Sequence, residues 1–440
     1  MKALAVRSLR HRYPAAVATF IAALLGTAMM ASFATLVESA FSAHEDDREL
    51  LIIMGGVVGG WSTVIVLFSI ASTVGIVAEQ RVREAGLLRT IGATPKQVRA
   101  LIVYEAMVVT LFAAAAGVVV ALAGGPALFD ALQRGNLITS ASSYDASLAS
   151  PSMAAGVVVV VGTVAAWISS RRATRGAATF SLRQAEVPVR RLRWWRILLG
   201  ALLIASGLAS AIVTITVTGK ATDAYAAMQT SGSASIVAGV GLAALAPWLL
   251  RVLATPLRPL LSGSGSGHLA VQNLTRRAGV LAGMLAPVIV FVSTAVGTLL
   301  MVGIDDRTLA AAGDPEGVGD TIAMINAVVI GMISLFSLIM VVNATVAVVV
   351  HRRPELDRLW RLGATARQLR TSVVLEAVVV AVLGIGLGLL GAMATAVPYS
   401  VVRHEGLVPN GQLWLPPFIS AVAVIVTAGA AWGAQRRAAR

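Results

Sequence analysis

The chain has 440 residues, of which 57% are hydrophobic and only 13% charged, with a mean hydropathy of +0.82. That composition lies outside the soluble globular range, and the apolar runs are long enough to cross a bilayer. The chain has no cysteine, which excludes disulfides and thiolate metal sites, and carries a net charge of +14 whose meaning depends on where the charges fall.

Residues 1–14 carry Lys2, Arg7, Arg10 and Arg12 ahead of the apolar run 15–41. That run is longer than the h-region of a cleaved signal peptide. The lead-in LAVRSLRHR at Leu4–Arg12 returns as LAVQNLTRR at Leu269–Arg277, each time just before an apolar run. We therefore read a retained span behind an amphipathic segment on the inner face. Further spans are predicted at 51–79, 101–124, 151–169, 197–217, 234–256, 278–302, 321–350, 372–398 and 416–434. Pro247 and Pro287 fall inside the sixth and seventh, where lipid-buried helices tolerate proline.

Ten spans place both termini on one side. The segments 1–14, 80–100, 170–196, 257–277, 351–371 and 435–440 hold 29 of the 35 Lys and Arg. The opposite loops hold Arg48, Arg134, Lys220, Arg307 and Arg403, and Arg251 lies near the inner end of the sixth span. The excess of positive charge marks the cytoplasmic side, so both termini are expected there. Spread over short inner loops, this charge does not describe a nucleic-acid surface. Glu45, Asp46, Asp47 and Glu49, and Asp305, Asp306, Asp314, Glu316 and Asp320, lie in outer loops without EF-hand spacing, and we read them as a solvated outer face.

Between the second and third spans lies EAGLLRTIGATPKQVRALIVYEAMVV (Glu84–Val109), which recurs as ELDRLWRLGATARQLRTSVVLEAVVV at Glu355–Val380. Twelve of the 26 aligned positions are identical without a gap, among them Glu84/Glu355, Leu88/Leu359, Gly92/Gly363, Ala93/Ala364, Thr94/Thr365, Gln97/Gln368, Arg99/Arg370 and Glu105/Glu376. Each copy reads as two helices with one break. Gly92 or Gly363 suits a left-handed helix end. Thr94 with Gln97, or Thr365 with Gln368, suits a capping box on the next helix. Pro95 suits the first helical position. Ala85, Leu88 and Ile91 make a short apolar stripe, matched by Leu356, Leu359 and Leu362. An ordinary loop between spans is one reading of these elbows; a duplicated, basic docking surface is the other.

The repeat extends beyond the elbow, since spans one to four match seven to ten in order and sidedness. The predicted fold is all-α: a polytopic membrane protein of about ten transmembrane helices, two parallel four-helix repeats joined by a two-helix hairpin. Residues 1–175 form the first repeat, 176–260 a basic linker and the hairpin, and 261–440 the second repeat. The linker carries Arg190, Arg191, Arg193, Trp194, Trp195 and Arg196, suited to an anionic lipid surface.

Catalytic signatures are missing. Gly219-Lys220 lacks the rest of a P-loop, so the chain does not itself hydrolyse nucleotide. Gly384, Gly386 and Gly388 fall inside a span with no preceding strand, and suggest close helix packing, as do Gly55/Gly59 and Gly56/Gly60. His11, His44, His268, His351 and His404 are scattered. A proton-driven carrier needs ionisable groups at mid-membrane. The nearest candidates, Glu105 and Glu376, are expected as interfacial acids near the inner face, paired with Arg99 and Arg370 or with the elbow.

The run Glu84-x-Gly86-x-Leu88-Arg89-x-Ile91-Gly92-Ala93-Thr94, followed by Gln97 and Glu105, resembles the signature of FtsX-like, MacB-type permeases, the membrane subunits of type VII ABC transporters. The second copy departs from it at Pro354, Asp357, Arg358 and Trp360. The ten-span plan is similar to bacitracin-exporter-type permeases, without a large extracytoplasmic domain. That departure weakens roles in cargo hand-over, lipoprotein release or cell-wall hydrolase activation. The resemblance implies a bacterial plasma (inner) membrane protein and two ABC ATPase subunits on the cytoplasmic side. ATP and Mg would be held in those subunits, and no cofactor in this chain. It implies coupling to the ATPase through Glu84, Leu88, Arg89, Gly92, Ala93, Thr94 and Gln97. In the second copy the same role falls to Glu355, Leu359, Trp360, Gly363, Ala364, Thr365 and Gln368. The expected substrate is an amphipathic or hydrophobic compound, exported or acted on by mechanotransmission. The alternative is a non-transporting signal transducer driven by the same ATPase.

Overall fold

The structure is a computed structural model describing residues 13–60, 82–135, 137–174, 194–221, 226–256, 265–312 and 318–436, with Pro259 and scattered positions between 63 and 74. Among these residues every regular element is a helix. They fall into two units, one drawn from 1–186 and 312–336, the other from 187–311 and 337–440.

The first unit contains α1 (Tyr13–Ser39), α2 (Glu45–Ile53) and a π-helical turn (Met54–Val58). The elbow helix α3 (Val82–Thr90), α4 (Pro95–Arg134) and α5 (Ala149–Thr174) follow. The rest of the second predicted span lies largely outside the described residues. So do the lead-in 1–12 and the linker 175–193, including Arg190, Arg191 and Arg193. Helix α4 packs against both α1 and α5. The approach is close because a Cβ on Gly117 would stand 2.7 Å from the Leu24 carbonyl oxygen and from Thr27. Lipid offers no hydrophobic drive between spans, so such small residues set their separation. Gly55 and Gly59 face Val37 and Phe33 of α1, whereas Gly56 and Gly60 face nothing within 4 Å.

The second unit begins with α6 (Trp194–Thr216), α7 (Ala226–Ala244) and α8 (Ala246–Ala254). The predicted straight sixth span is broken: α7 and α8 meet at 70°. Pro247 is the cause, since it lacks an N–H and crowds the carbonyl one turn back, and the next helix restarts with it in the first turn. Then come α9 (Gly265–Arg276), α10 (Ala278–Ala312), α11 (Val318–His351, of which only the part from Ser337 on belongs to this unit), the second elbow helix α12 (Arg353–Arg361), α13 (Ala366–Val402) and α14 (Leu415–Arg436). Helix α9 is the amphipathic lead-in of the second repeat: Ala270, Val271 and Leu274 are buried, and His268, Gln272 and Arg276 exposed.

The core of this unit is α10, whose apolar window is 94% buried. Its Val288, Phe291, Val292 and Val296 meet Val341 of α11, Ala392 of α13, and Ile419 and Ala423 of α14. Val288 and Val292 fill the space left by Gly384 and Gly388 of α13, while Gly386 faces nothing within 4 Å. The hairpin helix α7 is joined to α13 by reciprocal bonds. The Ser231 hydroxyl donates to the Thr395 carbonyl at 3.0 Å, and the Thr395 hydroxyl returns a bond to the Ser231 carbonyl. The Ser235 N–H donates to Thr395 Oγ1 at 2.9 Å, and Ser293 of α10 donates to the Ser235 carbonyl at 2.6 Å.

Two outer acids expected in solvent are buried instead. Asp47, 4% exposed, accepts from Thr139 Oγ1 and Ser142 Oγ at 2.6 Å and from the Thr139 N–H, anchoring the loop after α4. Asp305, 2% exposed, accepts from the Tyr399 hydroxyl and from Arg403 Nη2, both at 2.6 Å. Two residues on, Arg307 makes a bidentate pair with Glu405 at 2.9 Å for both bonds, so α10 and α13 are cross-linked twice at the ends away from the elbow. A short loop that turns back onto its own helices supplies donors to a carboxylate; composition alone does not show this.

Seven described helices are long and apolar enough to cross a membrane (α1, α4, α5, α6, α10, α13 and α14), and the bent α7–α8 pair qualifies as an eighth. The eighth predicted span is α11, a continuous helix of 34 residues. The chain is an all-α, multi-pass membrane protein.

Candidate functional site

The two elbows are built alike. Each elbow helix ends at a glycine in the left-handed region, Gly92 at φ 104° and Gly363 at φ 96°. In the first, the Ala93 N–H donates to the Leu88 carbonyl and the Gly92 N–H to the Arg89 carbonyl; in the second, Ala364 donates to Leu359 and Gly363 to Trp360. This pair of bonds satisfies carbonyls that a helix end would otherwise leave open. The chain then reverses into a capping box. Thr94 Oγ1 accepts from the Gln97 N–H while the Gln97 side chain accepts from the Thr94 N–H, and Thr365 and Gln368 do the same. Pro95 stands in the first helical position.

The apolar stripe runs from a buried root to an exposed tip. Ala85 is 1% exposed and packs with Val98 and Ile102 of α4, with Ala93 beside them. Leu88 is 38% and Ile91 84% exposed. In the second elbow Leu356 is buried, Leu359 half-buried, and Leu362 83% exposed. The root fixes each elbow to its span; the tip offers a large apolar side chain to whatever lies beyond. Around the tips Gly92, Thr94, Gln97, Gly363, Thr365 and Gln368 are exposed, and Glu84, Arg89, Ala93, Leu359 and Ala364 half-buried. Trp360 is 65% exposed where Arg89 stands in the first copy.

Glu105 and Glu376 are both buried within the protein, at 2% and 1% exposure. The guanidinium on Glu376 belongs to Arg352, the residue just before the elbow helix, and not to Arg370. Asn273 of α9 donates to the same carboxylate at 2.7 Å, and Ser372 lies at 3.4 Å. Arg352 also lies 3.6 Å from Glu355, which pairs with Arg277 at the end of α9. Sequence reasoning passed over Arg277, Arg352 and Asn273. A signal was there, because Arg352 stands in repeat register with Arg81 and Arg277 with Arg12.

The described residues thus make a polytopic all-helical protein that carries two capped, basic elbows of the same build. The family model for the FtsX-like permease C-terminal region matches residues 56–178 and 327–440, more than half of the chain and one segment for each elbow. The chain belongs to the FtsX-like permease family, with two such domains, and is the transmembrane permease component of an ABC-type system. No curated relative matches the sequence closely enough to be named.

Proposed function

We propose that this permease couples ATP hydrolysis by two separate ABC ATPase subunits to export, or mechanotransmission, of an amphipathic or hydrophobic compound. ATP and Mg stay in those subunits. The observation that carries the reading is the pair of exposed apolar tips, Ile91 and Leu362, each held rigidly above a left-handed glycine. Leu87 and Leu88 are exposed with Ile91 on the first elbow, and Trp360 with Leu362 on the second, and it is such clusters of exposed apolar side chains, not single ones, that suit a partner surface. Basic residues flank both tips: Lys96 beside the first, and Arg358, Arg361 and Arg367 beside the second. Their sign favours the cytoplasmic side of the plasma membrane for the elbows and both termini. Glu84, Leu88, Arg89, Gly92, Ala93, Thr94 and Gln97, with Glu355, Leu359, Trp360, Gly363, Ala364, Thr365 and Gln368, form the coupling surface in this reading. Ile91→Asp with Leu362→Asp is the test, in membranes co-expressing the partner ABC ATPase. The ATPase is expected to leave the membrane fraction while the permease remains inserted. Undiminished co-purification of the ATPase would show that docking lies elsewhere.

A further inference from the structure

The inner end of the second repeat holds a run of alternating charge drawn from three elements. Arg277 directly follows the lead-in helix α9, Arg352 is the residue just before the elbow helix α12 and Glu355 lies in its first turn, and Glu376 sits in α13. The order is Arg277–Glu355–Arg352–Glu376, each neighbour ion-paired to the next. Arg277 and Glu355 are partly exposed, at 22% and 34%, and Arg352 and Glu376 are buried, at 6% and 1%. Asn273 adds a bond from α9 to the innermost carboxylate. A surface ion pair contributes little, but a buried one costs several kcal/mol when a single partner is removed, because the other charge is left stranded. Such a chain therefore resists separation of the elements it joins.

All four charges recur in repeat register in the first half, as Arg12, Glu84, Arg81 and Glu105. They recur along with the elbow residues Gly363, Thr365, Gln368 and Arg370, whereas some immediate neighbours differ. Arg353 and Pro354 face Val82 and Arg83 in the alignment, and Asn273 faces Ser8. Helix stability alone gives no reason to keep four charges so close to the bilayer.

We propose that Arg277, Glu355, Arg352 and Glu376 are positioning residues, a charge chain that fastens lead-in helix, elbow and span into one body, so that a push on the elbow reaches the span undissipated. This rests on the docking reading for the source of the push, but the fastening itself is a property of the permease alone. The lead-in helix thereby becomes the third member of the coupling assembly, and not only an interfacial anchor.

The test uses the full-length chain in lipid nanodiscs, first without ATPase. The chain has no native cysteine, so His268→Cys on α9 and Leu362→Cys on the elbow tip take spin labels cleanly. Electron–electron double resonance is expected to give a narrow distance distribution. Arg277→Glu and Glu376→Gln should broaden it, and Arg277→Lys, which keeps the charge, should not. If Arg277→Glu fails to insert, Glu355→Gln removes a half-exposed charge without stranding a deeply buried one, and should broaden the distribution in the same way. Distributions as narrow in Glu355→Gln and Glu376→Gln as in the parent would overturn the proposal. The second arm adds the ATPase to unlabelled protein. Arg277→Glu, and Arg12→Glu in the first repeat, should retain ATPase binding and lose permease-stimulated hydrolysis. Binding and stimulation falling together would mean that the charges only maintain the docking surface, which also overturns it. A broadened distribution in a permease whose elbows bind no ATPase would sink the docking reading and leave the fastening intact.

Discussion

At the scale of the residue, Gly92 and Gly363 separate conformation from crowding. A Cβ at either would meet nothing within 4 Å, so the cost of any side chain there lies in the backbone, at φ 104° and 96°. That cost is about 1–2 kcal/mol for an L-residue, and greatest for a β-branched one. Gly92→Val with Gly363→Val should leave the permease inserted and abolish ATPase stimulation; unchanged stimulation would show that the elbow angle is unimportant. A second residue-scale prediction concerns pH. Burial opposes ionisation of Asp47, but the Ser142 and Thr139 hydroxyls and the Thr139 N–H outweigh it, so its carboxyl titrates below the ordinary range. The Arg307 guanidinium holds Glu405 below it too, against a smaller cost of burial. A group whose folded-state pKa is depressed contributes stability that is complete above its unfolded value and lost as pH falls through the folded one. Thermal unfolding midpoints should therefore drop on acidification through and below the ordinary carboxylate range. In Asp47→Asn and Glu405→Gln that drop should be shallower, from a lower starting stability. Equal slopes in parent and variants would remove these carboxylates from the account.

At the scale of the element, packing through small residues predicts a contrast between glycines. Gly117→Ala drives a methyl into the α1 backbone and should cost about 1–3 kcal/mol by overpacking. Gly156→Ala in α5 meets open space and should be neutral or stabilise by about 0.5–1 kcal/mol through helix propensity. Comparable midpoints for the two in detergent would contradict the close α1–α4 contact. The same scale shows which parts of the fold were legible in sequence. The elbows were, because a left-handed glycine, a capping box and a helix-start proline act within six residues and leave local marks. The break between α7 and α8 had its mark in Pro247, but sequence alone did not distinguish a tolerated proline from one that turns the helix through 70°. The partners of Glu376 were not legible, since Arg352 and Asn273 lie 24 and 103 residues away. Nor was the burial of Asp47, whose donors come from a loop more than 90 residues on.

At the scale of the whole molecule, one chain carries two elbows in register, so one chain should suffice for two ATPase subunits. Native mass spectrometry of the solubilised complex should give one permease with two ATPases; two permeases with two ATPases would show that the internal repeat does not complete the assembly. The two elbows differ, with Arg358 and Trp360 where Leu87 and Arg89 stand in the first copy. Trp360→Arg and Arg89→Trp are therefore expected to shift ATPase affinity unequally. Reporter fusions at Arg440 and in 82–100 should report cytoplasm, and at Arg307 the outside. A report from outside at Arg440 would make the number of spans odd.

The double cross-link between α10 and α13, at the ends away from the elbow, has a mechanical consequence. Helix α13 has 37 residues and so measures about 55 Å. It is clamped at the end away from the elbow by Asp305, Arg403, Arg307 and Glu405, so a push at the elbow end would turn it about that clamp. A displacement of about 5 Å at the elbow end becomes a swing of about 5° over a rod of that length. A push at the elbow end would therefore spread the elbow end of the bundle more than the clamped end, a wedge-like rather than piston-like displacement.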